Sequence, residues 1–223
     1  MILPLLYPIL DTGLLARRGF DPTEAAEAIL EAGARILQFR HKSFFSRDVF
    51  AQAETIARLC AASNCIFVMN DRADMAMLLN AGLHVGQDDL PPAAARRLIS
   101  DRSLLGFSTH NETQLREAAR EPVDYIALGP MFATGSKLNP DPVVGVEELR
   151  RIRPLTDKPL VAIGGITRTN ALDVFASGAN SVAIIGDLLP DTLSRRALRS
   201  RTEEWLHLLN RQNSRGNKRG PDS

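Results

Sequence analysis

Cysteine is scarce in this chain, with only Cys60 and Cys65 in 223 residues. No C-x-x-C pair occurs and no histidine lies at finger-like spacing, which excludes a zinc module of that kind. Cys60 falls on a helical apolar stripe and Cys65 opens an apolar run, so both read as buried thiols. An excess of one charge is also missing. The 27 Lys and Arg stand against 26 Asp and Glu, a formal net charge of +1, which gives no support to nucleic-acid binding through a global positive field. No apolar run reaches the roughly 18 residues that a membrane helix needs. The N-terminal segment has no basic start and carries Pro4 and Pro8, so it does not read as a signal peptide. A soluble cytoplasmic protein is expected, with no nucleic-acid or membrane partner. The 44% hydrophobic content can bury a core, which excludes wholesale disorder.

What is present is a repeat. Eight short apolar runs, Leu5–Asp11, Ile36–Arg40, Ile66–Asn70, Leu83–Gln87, Leu104–Ser108, Tyr125–Pro130, Leu160–Ile166 and Ser181–Gly186, alternate with helical patterns. Near-continuous apolarity is the mark of strands buried on both faces. Between them, Asp21-Pro22-Thr23-Glu24 supplies an N-cap, a proline at the first helical position and a capping-box acid. Ser46 caps a second helix, Asn111 and Gln114 form another capping box, and Thr167–Ser177 reads as a further helix. Ala32-Gly33, Ala81-Gly82 and Ser177-Gly178 each end a helix before an apolar run, where glycine is the expected left-handed cap. Strict alternation implies a parallel sheet, and eight units favour a compact (β/α)8 TIM barrel over a doubly wound sheet. A single α/β barrel domain over 1–210 is expected. The basic tail 211–223 offers no apolar residue to anchor it and reads as disordered.

In such a barrel the chemistry sits where strands end, and polar residues crowd those positions. Gln38, Arg40 and Lys42 alternate and so face one side of an extended segment. They suit a polyanion, or else form a solvated strand end that pairs with nearby acids. Asp71 and Asp89, at adjacent strand ends, suit Mg²⁺ beside phosphates, or else cap helices or pair with Arg40. Asp88 is as well placed as Asp89 by spacing. Thr134-Gly135-Ser136-Lys137 offers hydroxyls, a permissive backbone and an ammonium for phosphate, although the G-x-x-x-x-G-K loop is absent. Gly164-Gly165 and Gly186 let backbone approach a ligand, or relieve crowding. The four histidines show no nucleophile–base spacing. Trp205 reads as packing for the last helix.

Together these residues resemble the thiamine phosphate synthase family. The carrying motifs are Gln38-Phe39-Arg40-His41-Lys42, Asn70-Asp71, Gly86-Gln87-Asp88-Asp89, Gly106-Phe107-Ser108, Gly129 to Lys137 and Gly164-Gly165-Ile166, in order over roughly 5–190. The resemblance implies a barrel that joins 4-amino-5-hydroxymethyl-2-methylpyrimidine diphosphate to a 4-methyl-5-(2-phosphoethyl)thiazole, with or without a 2-carboxylate. The products are thiamine monophosphate and pyrophosphate, and Mg²⁺ is the cofactor. By position, Gln38, Arg40, Lys42, Asn70, Ser108 and Lys137 would hold the pyrimidine diphosphate, with Phe39 and His41 inside the same motif. Asp71 and Asp89 would hold Mg²⁺. Thr134, Gly135, Ser136, Gly165, Ile185 and Gly186 would hold the thiazole phosphate. The catalytic set is Arg40, Lys42, Lys137 and Ser108.

Two positions depart from the family pattern: Ser136 stands where threonine is usual, and Gly186 where some members have serine. The family's reaction passes through a pyrimidine carbocation, which agrees with the lack of a catalytic triad here. The rival reading within the superfamily is a thiazole tautomerase. Its members place a histidine after the strand-six glycine, where this chain has Pro130. A non-catalytic phosphate-binding barrel is the other alternative. The oligomeric state is left open, a homo-oligomer included.

Overall fold

The structure is a computed structural model and describes residues 2–133 and 142–216, with side chains to Arg211. Eight strands form one sheet: β1 (Leu6–Asp11), β2 (Ile36–Arg40), β3 (Ile66–Asn70), β4 (Gly82–Val85), β5 (Leu105–Thr109), β6 (Tyr125–Leu128), β7 (Leu160–Ile163) and β8 (Ser181–Ile184). Neighbours pair in parallel in chain order, and β8 returns to β1 to close the barrel. The connecting helices are α1 (Thr12–Arg17), α2 (Pro22–Glu31), α3 (Arg47–Ala62), α4 (Ala73–Leu78), α5 (Pro92–Leu98), α6 (Glu112–Ala118), α7 (Gly145–Ile152), α8 (Ala171–Ala176) and α9 (Arg195–Gly216). All eight expected strands are present.

Side chains alternate across the pleat and build two cores. Along β2, Leu37 and Phe39 face outward into the layer shared with the helices. Ile36 joins Tyr7, Ile9, Val68, Tyr125, Val161 and Ala183 in the barrel interior. The outer layer also holds Trp205 of α9, fully buried. Cys60 and Cys65 are free and buried.

The caps bear out the local chemistry. Asp21 accepts hydrogen bonds from Thr23 N and Glu24 N at the head of α2, and Ser46 accepts from Val49 N. Asn111 accepts from Gln114 N, but the Gln114 side chain reaches back to His110 N rather than to Asn111. Gly33 and Gly178 are left-handed, at φ +102° and +106°, as expected.

Two expectations need correction. The left-handed residue between α4 and β4 is Asn80, at φ +49°, not Gly82. Asparagine tolerates that region, and Gly82 already belongs to β4, where a Cβ would lie 3.0 Å from Leu104 O. The helix expected from Thr167 begins at Ala171; residues 167–170 form a turn in which Asn170 Oδ1 accepts from Thr167 N. Asp11, the last residue of β1, caps the short helix α1 through Leu14 N, an element the apolar pattern did not announce. The last helix, α9, runs to Gly216, beyond residue 210 where the expected barrel domain ends; Arg211 and Gln212 continue a helix readily.

Candidate active site

At the C-terminal ends of the strands the barrel opens into a cavity of about 630 Å³. Gln38, Arg40, Lys42, Asn70, Asp71 and Ser108 all line it, as do Asp88 and Asp89. β2 brings Gln38 and Arg40 there because inward positions recur every two residues, and Lys42, two residues past the strand's end, lines the same cavity. Neighbouring strands add theirs through the parallel register, which sets Asn70 beside His84 and Ser108 beside Ala127.

The charges meet as pairs, though not all as expected. Arg40 pairs with Asp11, the cap of α1, rather than with Asp71. Asp71 pairs with Lys42 at 2.5 Å. Asp71 is left-handed, at φ +62°, a conformation that aspartate tolerates better than most residues. Burial pushes its carboxyl above the usual range; Lys42 opposes this and the neighbouring Asp89 adds to it. Asp89 also accepts from Gly86 N at 2.7 Å.

Two carboxylates close enough for Asp89 to raise Asp71, in a cavity with cations around them, suit a hard divalent ion that takes its other oxygens from a phosphate. Among the described residues no group of three or more His, Cys, Asp or Glu could hold a metal alone. Asn70 Nδ2 is buried with no hydrogen-bond partner among the described residues. A buried donor left open is costly, and this one lies in the cavity wall, so it suits a ligand acceptor.

Below the mouth lies a connected polar chain. Gln38, only 2% exposed, donates from Nε2 to Tyr7 OH at 3.1 Å. Tyr7 OH and Tyr125 OH are 2.9 Å apart. Tyr125 OH lies 2.9 Å from His84 Nδ1, and His84 Nε2 lies 2.9 Å from Ser108 Oγ. The His84 and Tyr125 rings stack, with centroids 5.6 Å apart. Gly106 makes this possible, since any Cβ there would overlap the Tyr125 ring. Burial lowers the His84 pKa to about 4 and so keeps the ring neutral; Asp89 pulls the other way and Lys42 adds to the lowering. Tyr7, Tyr125 and His84 were not among the expected site residues. Their one sequence signal is a polar tip inside an otherwise apolar strand.

Two expected residues do not face the cavity. Phe39 is fully buried in the outer core. His41 bonds Thr12 Oγ1 at 2.7 Å and the Phe44 carbonyl at 3.1 Å. Both sit on the other side of the pleat from Gln38, Arg40 and Lys42. Gly165, Ile185 and Gly186 do line the cavity. Gly164 and Gly165 are left-handed, and a Cβ would lie 2.6 Å from Pro130 Cα at the first and 2.7 Å from Ala133 O at the second. Gly186 has open space around it. Thr134, Gly135, Ser136 and Lys137 lie outside the described residues. Asp187, beside Gly186, also lines the cavity and accepts from Arg168 Nε at 3.1 Å. Among the described residues no helix is long and apolar enough to cross a membrane.

Residues 6–188 match a family model described as thiamine monophosphate synthase. A thiamine-phosphate synthase of Koribacter versatilis is 44% identical over 213 residues, covering 93% of this chain and 96% of its own. One of Chloroflexus aurantiacus is 38% identical over 206 residues, covering 89% and 94%. Among solved structures, a thiamine phosphate pyrophosphorylase from Pyrococcus furiosus shares the fold with a TM-score of 0.78 and 29% identity, over 92% of this chain and 95% of that one.

Proposed function

The chain belongs to the thiamine monophosphate synthase family, and on that premise we infer that it joins a hydroxymethylpyrimidine diphosphate to a thiazole ethyl phosphate. It is a transferase that yields thiamine monophosphate and releases pyrophosphate. The observation that carries the reading is one barrel mouth in which Arg40 and Lys42 stand among Asp71 and Asp89, around an Asn70 amide with an open donor.

Pyrophosphate departs readily only when its growing charge is met. Arg40, Lys42 and Lys137 are assigned that task, because preorganised cations act strongly in a site that water has left. Gln38, Asn70 and Ser108 would hold the pyrimidine part. Thr134, Ser136, Gly165, Ile185 and Gly186 would hold the thiazole phosphate, the glycines offering close backbone approach. Bringing the thiazole nitrogen to the carbon that pyrophosphate leaves is an orientation task, for which fixed binding groups suffice. No protein nucleophile is called for.

Asp71 and Asp89 fit Mg²⁺ by their charge and their nearness to each other. When held by Asp71 and Asp89, the ion would supply positive charge to offset that of the leaving pyrophosphate. The reaction is placed in the cytoplasm, on free small molecules, by a monomer or homo-oligomer.

Purified protein, both substrates and Mg²⁺ should give thiamine monophosphate and pyrophosphate. No product, with the same substrates turned over by a control synthase, would overturn the reading.

A further inference from the structure

The polar chain under the mouth has a direction. In the arrangement seen, the Gln38 amide donates to Tyr7 OH. Among the described residues the acceptor in reach of the Tyr7 hydrogen is then the Tyr125 oxygen. Tyr125, having accepted, donates to His84 Nδ1. A neutral imidazole that accepts at Nδ1 carries its hydrogen on Nε2, so Nε2 donates to Ser108 Oγ. The Ser108 hydroxyl hydrogen is thereby left to point elsewhere, and Ser108 lines the cavity. At the other end, Gln38 turns one amide hydrogen toward Tyr7, which fixes the orientation of the amide and so where its carbonyl oxygen stands as an acceptor.

We propose that Tyr7, Tyr125 and His84 are positioning residues that fix the Ser108 hydroxyl as a hydrogen donor and the Gln38 carbonyl as an acceptor toward one bound pyrimidine ring. This rests on the functional reading above. The pattern matches an aminopyrimidine, whose exocyclic amine donates and whose ring nitrogens accept. It mismatches an oxo-pyrimidine, whose oxygen accepts and whose adjacent ring nitrogen donates. A site with fixed buried polar groups rejects a mismatched partner strongly because those groups are left unpaired. The relay is built for rigidity: its rings are buried, His84 stacks on Tyr125, and Gly106 clears the space that the Tyr125 ring occupies.

Two measurements on the full chain test this. The first is the nitrogen-15 spectrum of the imidazoles, with His84→Gln assigning the signal. A neutral ring protonated at Nε2 is expected; a ring protonated at Nδ1 reverses the relay and overturns the proposal. The second is a double-mutant cycle on the steady-state kinetics. Tyr125→Phe keeps the ring packing but cuts the relay. It should lower kcat/KM for the pyrimidine diphosphate roughly five- to tenfold, the worth of one hydrogen bond, and leave KM for the thiazole phosphate unchanged. In a Ser108→Ala background the same change should have a smaller effect, since the part that passes through Ser108 is already gone. An equal loss in both backgrounds, or equal loss toward both substrates, marks a merely structural role and overturns the proposal. The spectrum does not depend on turnover. A chain protonated at Nε2 that makes no thiamine monophosphate would sink the functional reading while the direction of the relay stood.

Discussion

Asp71 shows how one residue of the proposed site can work against folding. Its carboxyl is held above the usual range by burial and by Asp89, so the folded state resists an ionisation that the unfolded chain accepts. At neutral pH that charge opposes folding. Asp71→Asn keeps the left-handed backbone, which asparagine tolerates equally, and removes the charge. The metal-free midpoint of thermal unfolding should rise, whereas the gain expected for the wild type from the proposed Mg²⁺ binding to the folded state should vanish. A fall in the metal-free midpoint would contradict this. His84 works in the opposite sense. With a folded pKa of about 4 against about 6.5 unfolded, its neutral burial contributes fully above pH 6.5. That contribution is lost as pH falls toward 4, and it amounts to roughly 3 kcal/mol. Urea titrations from pH 7 to 4 should therefore show a steeper loss for the wild type than for His84→Gln. The alternation of Gln38, Arg40 and Lys42 was legible from sequence because it is a property of one strand. The Tyr7–Tyr125–His84 contact was not, because it joins residues 118 positions apart through a register that no local pattern reveals.

At the scale of elements, all eight strands were legible because burial on both faces leaves an apolar run that needs no partner to be seen. Helix ends were read less well, and the junction between α4 and β4 shows why. Glycine after alanine looked like a cap, but the turn closes two residues earlier on Asn80, and Gly82 is needed where β4 passes Leu104. The two positions should thus respond in opposite ways. Gly82→Ala crowds the Leu104 carbonyl and should cost roughly 1–3 kcal/mol. Asn80→Gly relieves a left-handed side chain and should cost nothing measurable. Equal losses in chemical denaturation would return the cap to Gly82. The turn after β8 makes a functional contrast, since Gly186 has no heavy atom within 4 Å of its would-be Cβ. Gly186→Ser should fold normally and lower KM for the thiazole phosphate roughly two- to fivefold, the worth of one added hydrogen bond. An unchanged KM would remove that position from the phosphate site.

For the whole molecule, the near-zero net charge concealed what matters, since the site depends on where a few charges stand and not on their sum. The end of the chain is also tied back to its start: α9 packs on α2, with the protein's single tryptophan, Trp205, fully buried in the outer layer. That tryptophan is a reporter of whether the last helix stays docked. Leu198, Thr202, Trp205 and Leu209 are the buried positions of α9 up to Arg211, and each precedes residue 212. Removing 212–223 takes away none of them, so the shortened chain should keep the blue-shifted emission of a buried indole, the wild-type midpoint of unfolding, and kcat. Trp205→Ala, by contrast, empties a large buried volume and should cost roughly 3–5 kcal/mol. If the shortened chain instead shifts its emission to the red or loses turnover, the helix beyond residue 211 is part of the barrel's support, and the boundary proposed at residue 210 is wrong.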